Sequence, residues 1–126
     1  MLFRSEPEVR LECRNMRGDL GGMARRVAGQ LSTRMLLVTR GRTGCLLYDR
    51  EQGLVETPAF SIRVLDRIGA GDAVLALTAP CVAMGAPPDV VSLIANVVGA
   101  EACMIMGNKQ SIEPVGLFRH ITSLLK

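Results

Sequence analysis

The chain has 126 residues, 48% of them hydrophobic, which is enough for one core of ordinary domain size. Fifteen Lys and Arg against twelve Asp and Glu leave a formal charge of +3 spread along the sequence, with one Tyr and no Trp. That is neither a basic tail nor a base-stacking surface, so no nucleic-acid partner is expected.

A membrane partner is not expected either. Residues 73–88 carry no charge, but Pro80, Gly85, Pro87 and Pro88 interrupt them and Asp89 ends them, short of the roughly 20 apolar residues of a span. The opening "MLFRSEPEVR" has no apolar run long enough for a signal peptide. Cys13, Cys45, Cys81 and Cys103 are far apart and form no CxxC pair, and His120 is the one imidazole. Reduced, buried thiols are the expectation, and with them a cytoplasmic setting.

In chain order, residues 1–17 give weak local signals. Asp19 is placed to cap a helix running to about Leu31, since Leu20, Met23, Val27 and Leu31 recur at helical intervals and leave Arg25 and Arg26 largely on the solvated side. "MLLVT", 35–39, is a short continuous apolar run and reads as a central strand. "GCLLYD" and "LVETPAF" read as two strands of a hairpin joined through "REQG", with Gly53 supplying any positive φ. "SIRVLD" is a further strand, and helices follow at about 70–84, 88–104 and 113–125, Pro88 suiting a first turn. The apolar helix after residue 72 is expected to be covered on nearly every side. This order predicts a single layered α/β domain with one antiparallel hairpin at or beyond the sheet edge, an α+β arrangement being the main alternative.

Two glycine turns are candidates for chemistry. In "DRIGAGDAV" a strand passes through Gly69 and Gly71 into a helix, whose first N–H groups can converge on an anion. It is neither a Walker A motif nor GxGxxG, and the pattern fits a plain tight turn as well as an anion site. Asp72 fits a cap or first-turn residue stabilised by the helix, or a base taking the proton of a hydroxyl that attacks a phosphoryl group. In "VTRGRTGCLLY", Thr39, Gly41 and Gly44 offer a second backbone meeting point. Arg40 and Arg42 there suit phosphate contact or a solvated turn. His120 is expected on a surface or partly packed helix, Met104 and Met106 in the core, and Glu101 on a solvated face or over the pocket.

In this order, "TRGRTG", "LDRIGAGDAV" and "NVVGAEACMIMG" resemble the ribokinase-like, or PfkB, carbohydrate kinases, over most of residues 19–126. The resemblance implies a partial ribokinase-like three-layer α/β/α domain with a hairpin. It makes Asp72 the base that activates the acceptor hydroxyl, and Gly69, Ala70 and Gly71 the backbone anion hole for the transferring phosphoryl group. Thr39 and Gly41 match positions near the phosphates of ATP, with Gly44 shaping the turn. Asn96, Gly99 and Ala100 border the nucleotide base. An activating monovalent cation such as K+ is matched to Asp66, Ile68, Ala102, Ile105, Gly107 and Ser111. Ser5 and Glu8 of "SEPE" stand where relatives have an N-x-x-E element associated with Mg2+ and phosphate.

The sequence departs from that pattern in places. Arg67 replaces the Thr of D-T-x-GAGD, adding charge and bulk near the nucleotide. The sugar-binding residues and lid of relatives have no counterpart, so the chain is expected to be the C-terminal part of a kinase domain, with the N-terminal substrate-binding half absent. Its acceptor would be a sugar or sugar phosphate. A strand edge left open would need a second copy or a complementary kinase chain. The wording of "RNMRGDL", "GAGDAVLALTA" and "HITSLLK" leans toward the heptose-phosphate kinase branch. The competing expectation is a noncatalytic fragment or interaction protein that retains the kinase-like fold.

Overall fold

The computed structural model describes residues 1–60, 68–105 and 110–126. The chain runs β1 (Leu2–Ser5), α1 (Glu6–Glu12), α2 (Leu20–Gln30), β2 (Met35–Thr39), a 3-10 turn (Gly41–Thr43), β3 (Cys45–Asp49), β4 (Gly53–Thr57), α3 (Ala70–Ala83), α4 (Pro88–Cys103) and α5 (Pro114–Leu124). The strands lie side by side in the order β1-β2-β3-β4. β1 pairs with β2 in parallel, Phe3 opposite Leu37, and the β2–β3 and β3–β4 pairings are antiparallel.

Alternation along the strands divides the core between two faces. Leu36, Val38 and Leu46 join Val9, Met23, Ala24 and Val27 from α1 and α2. Met35, Leu37, Cys45 and Leu47 turn the other way and join Val74, Val91, Ala95 and Val98 from α3 and α4. β2 therefore reads as one apolar run because both its faces are covered, which makes the molecule a three-layer α/β/α arrangement with the hairpin at one side.

Local chemistry explains the element boundaries. Asp19 Oδ2 accepts the Gly22 N–H at 2.7 Å and caps α2. The hairpin turn is held by Asp49, whose fully buried carboxylate accepts the N–H groups of Glu51 at 2.8 Å and Gln52 at 3.0 Å and meets Arg34 Nε at 3.3 Å. Gly53 follows at φ +85°. β4 stops at Thr57, three residues short of the expected strand, because Pro58 has no N–H for a ladder. The expected strand "SIRVLD" lies outside the described residues.

Two expectations need correction. The weak N-terminal stretch is ordered structure: β1 is stabilised by parallel pairing with β2, a long-range contact that leaves no local periodicity. The helix after Asp72 is not covered on nearly every side. α3 buries Val74 and Thr78 but leaves Leu75 and Leu77 exposed, because α4 and the sheet cover one stripe of it. Pro80 sits inside α3 without ending it. The helix ends instead where the Gly85 and Ala86 N–H groups return to the Val82 and Cys81 carbonyls.

Candidate active site

Four chain segments meet where the sheet's β2 end faces the start of α3. Gly69 lies at φ +78°, a left-handed conformation that glycine adopts without a Cβ penalty, and turns the chain into α3. The first bond across that turn runs from the Ala73 N–H to the Gly69 carbonyl at 3.0 Å. The N–H groups of Ala70, Gly71 and Asp72 precede it, as in any first helical turn, and have no helical acceptor. Asp72 is exposed, and its carboxylate has no hydrogen bond or ion pair among the described residues. The capping role that the sequence left open for it is not taken.

A cavity of about 420 Å³ lies beside this turn. Ala70 and Gly71 form one side, and Thr39, Gly41 and Gly44 another. Asn96, Gly99 and Ala100 line it from α4, and Ser5 and Glu8 from the β1–α1 junction. Residues from four parts of the sequence expectation thus share one wall system. Gly69 and Asp72 adjoin the cavity in sequence but are not part of its lining.

Glu8 has a structural job as well. The Ser5 N–H and hydroxyl both donate to Glu8 Oε2 at 2.6 Å. The Ser5 hydroxyl and N–H bonds, in that order, lower the Glu8 carboxyl below its usual range against an opposing effect of burial. The residue is thereby fixed as an anion at the cavity wall.

Under Asn96 is a polar cluster that the sequence reading did not single out. Asn96 Nδ2 donates to Cys45 Sγ at 3.1 Å, to the Thr57 carbonyl at 3.2 Å and to the Ser92 carbonyl at 3.3 Å. The Ser92 hydroxyl lies 2.6 Å from Thr57 Oγ1 and 3.2 Å from Cys45 Sγ. Ser92 and Asn96 are four apart within the apolar middle of α4, and that spacing was the available signal. Burial pushes the Cys45 thiol up, more than its bonds to Ser92 and Asn96 pull it down, so it is held as a neutral thiol. Of the thiols expected to be buried, Cys45 is, whereas Cys13, Cys81 and Cys103 are half-buried. Phe3 and Phe60 also line the cavity, and Phe3 packs so closely on Gly71 that a Cβ there would lie 3.3 Å from its ring.

Arg40 and Arg42 separate. Arg40 is held by Glu56 at 3.0 Å and Glu6 at 3.5 Å, whereas Arg42 is exposed at the cavity wall. His120 Nδ1 lies 2.6 Å from Glu101 Oε1 and joins α5 to α4, so Glu101 lies neither on a free face nor over the cavity. Met104 is 46% exposed and is not the core filler expected, since it stands just past the end of α4; Met106 is outside the described residues. Of the monovalent-cation positions, Asp66 and Gly107 also lie outside them. Ile68 is exposed before α3, Ala102 is buried in α4, Ile105 is half-buried beyond α4, and Ser111 is exposed. Arg67, the departure at the loop, is likewise outside the described residues.

The sequence pattern of the pfkB family carbohydrate kinases matches residues 6–113, nearly the whole chain. The chain belongs to that family. Among its curated relatives, the Bifunctional protein HldE of Halorhodospira halophila is 38% identical over 79 residues, covering 63% of this chain and 17% of that protein. The Bifunctional protein HldE of Caulobacter sp. strain K31 is 43% identical over 60 residues, 48% of this chain and 12% of the relative. The chain therefore spans under a fifth of the curated relatives it matches.

Solved structures agree on the fold. Phosphofructokinase-2 from Escherichia coli in complex with potassium superposes on 98% of this chain with a TM-score of 0.85 at 13% identity, over 40% of its own length. Ribokinase from Thermotoga maritima covers 97% of this chain with a TM-score of 0.78 at 18% identity, over 41% of its own length. The chain is thus a partial ribokinase-like three-layer fold. Among the described residues no helix is long and apolar enough to cross a membrane.

Proposed function

We propose that this PfkB-family chain carries the nucleotide and catalytic-base side of an ATP-dependent phosphoryl transfer to a hydroxyl of a sugar or sugar phosphate. The observation that supports it most is the convergence of the α3 turn, the Thr39–Gly44 turn and Glu8 on one cavity, with Asp72 next to it and without a structural partner among the described residues. The turn N–H groups of Gly69 to Gly71 would hold the charged oxygens of the transferring group. Asp72 would accept the acceptor's proton. Asn96, Gly99 and Ala100 would border the base of the nucleotide.

Glu8 fits Mg2+ in one respect: it is an anionic oxygen donor fixed at the wall of the same cavity. When bound, Mg2+ would offset phosphate charge beside this carboxylate. The K+ positions remain part of the proposal through the family resemblance alone.

Recognition of the acceptor is assigned to sequence that has no counterpart here, so appreciable sugar phosphorylation by these 126 residues alone is not expected. The relatives named HldE fit the heptose-phosphate kinase branch toward which the sequence wording leans. A noncatalytic interaction role is the second reading, favoured by the exposed Leu75 and Leu77 of α3.

Titration of the chain with ATP and magnesium, followed by residue-specific amide shifts, tests the proposal. Responses at residues 69–72 and 39–44 are expected, and saturable binding that leaves both turns unmoved would reject it. Asp72→Asn should leave ATP affinity within about twofold while lowering phosphoryl transfer in any longer chain that contains this segment by about 100-fold or more.

A further inference from the structure

We propose that Arg42 is the side chain that grips the phosphate chain of the bound nucleotide, and that Arg40, two residues away, is structural. The inference rests on the nucleotide reading of the cavity and adds to it a residue that neither the motif nor the family resemblance assigns.

The sequence presents the two arginines as equivalent; the structure does not. Arg40 Nη1 is 3.0 Å from Glu56 on β4, and its Nε, buried and without a hydrogen-bond partner, is 3.5 Å from Glu6 on α1. Drawing Arg40 toward a ligand would leave Glu56 unpaired. The neighbouring cations are also committed. Arg10 pairs with Glu6 at 2.7 Å, and Arg4 donates to the Phe3 carbonyl at 2.8 Å and lies 3.9 Å from Glu12. Arg42 has no ion pair or side-chain hydrogen bond among the described residues.

Its position suits an anion. Arg42 lines both the apolar cavity and a second, more open cavity beside it, which share Ser5, Thr39, Gly41 and Arg42 as a common wall. Among the described residues that line the first cavity, Glu8 is the acidic group and Arg42 the basic one; the rest are uncharged. Arg42 is thus the cationic side chain that the described lining offers to the phosphate chain of a nucleotide entering this space. Its planar guanidinium can give two parallel N–H bonds to phosphate oxygens. The backbone beneath it is already fixed by Arg40 N–H to Gly44 carbonyl at 2.8 Å and Thr43 N–H to Arg40 carbonyl at 3.1 Å. Binding would therefore order one side chain rather than a loop.

Calorimetric titration of the 126-residue chain with magnesium-ATP, ADP and adenosine provides the test, using the wild type, Arg42→Gln and Arg42→Lys. Arg42→Gln should weaken ATP by about 10- to 100-fold and leave adenosine within about twofold, and Arg42→Lys should recover part of the loss. ATP binding by Arg42→Gln equal to wild type overturns the Arg42 assignment alone. An equal loss for ATP and adenosine also overturns it, because the turn's shape rather than charge would then be responsible. A wild-type chain that binds none of the three overturns the nucleotide reading and this inference with it.

Discussion

Gly44 closes the turn that carries Arg42, at φ +103° and with the Thr57 carbonyl where a β-carbon would go. Both facts penalise any side chain: the backbone conformation suits glycine, and the close approach binds the turn to the end of β4. Gly44→Ala should cost on the order of 3 kcal/mol, read as a lower urea midpoint at unchanged slope. Asp72 differs in kind. It is exposed, with no hydrogen bond or ion pair among the described residues, so Asp72→Asn should cost no more than the first-turn charge effect, under about 1 kcal/mol. Arg40 resembles Gly44 rather than Arg42, since its charge is spent on Glu6 and Glu56.

The β3–β4 hairpin shows how an element sets a pH limit. Burial raises the Asp49 carboxyl, but the Gln52 and Glu51 N–H bonds and the Arg34 charge outweigh it, and the net direction is below the ordinary value. A depressed folded-state value contributes stability that is present above the unfolded value of about 3.9 and is lost as pH falls through the folded one. Glu8 acts in the same direction at the start of α1. Urea midpoints measured from pH 7 downward should therefore fall steeply below about pH 4. Asp49→Asn should lower stability at pH 7 and flatten that fall; an undiminished slope in the variant would assign the acid sensitivity elsewhere.

Over the whole molecule, the two faces of the sheet are covered but the outer surface of the helical layer is not. Leu75 and Leu77 on α3, Val90 on α4 and Phe118 on α5 are all exposed, and Met84 is 87% exposed just past α3. Scattered exposed apolar residues are ordinary in proteins of this size; a helix as uniformly apolar as α3 with one buried stripe is not. Concentration-dependent self-association is the expected outcome in sedimentation measurements. Leu75→Gln with Leu77→Gln should shift the chain toward 13.6 kDa without loss of helix signal. A wild-type chain that stays monomeric at all concentrations would speak against an unpartnered face.

The elements after Gly18 were legible because their signals are local. Asp19 before a helical apolar period, "MLLVT" between turns, Pro88 in a first turn and Gly53 in a short hairpin each state their conformation within a few residues. "GAGD" and "TxGxxG" likewise carried the family and the candidate site residues, because backbone approach to a ligand demands glycine at fixed spacing. What tertiary structure alone decided was pairing at a distance. β1 exists through β2, Glu8 reaches the cavity because β1 lies in the sheet, and Ser92, Cys45, Thr57 and Asn96 form a cluster across as many as 51 positions of sequence. The same holds for the two arginines of "TRGRTG". Their sequence context is shared, and only the carboxylates that α1 and β4 bring to Arg40 set it apart from Arg42, which has no ion pair among the described residues. Ion pairing and burial depend on which elements meet, and no short window of sequence contains that information.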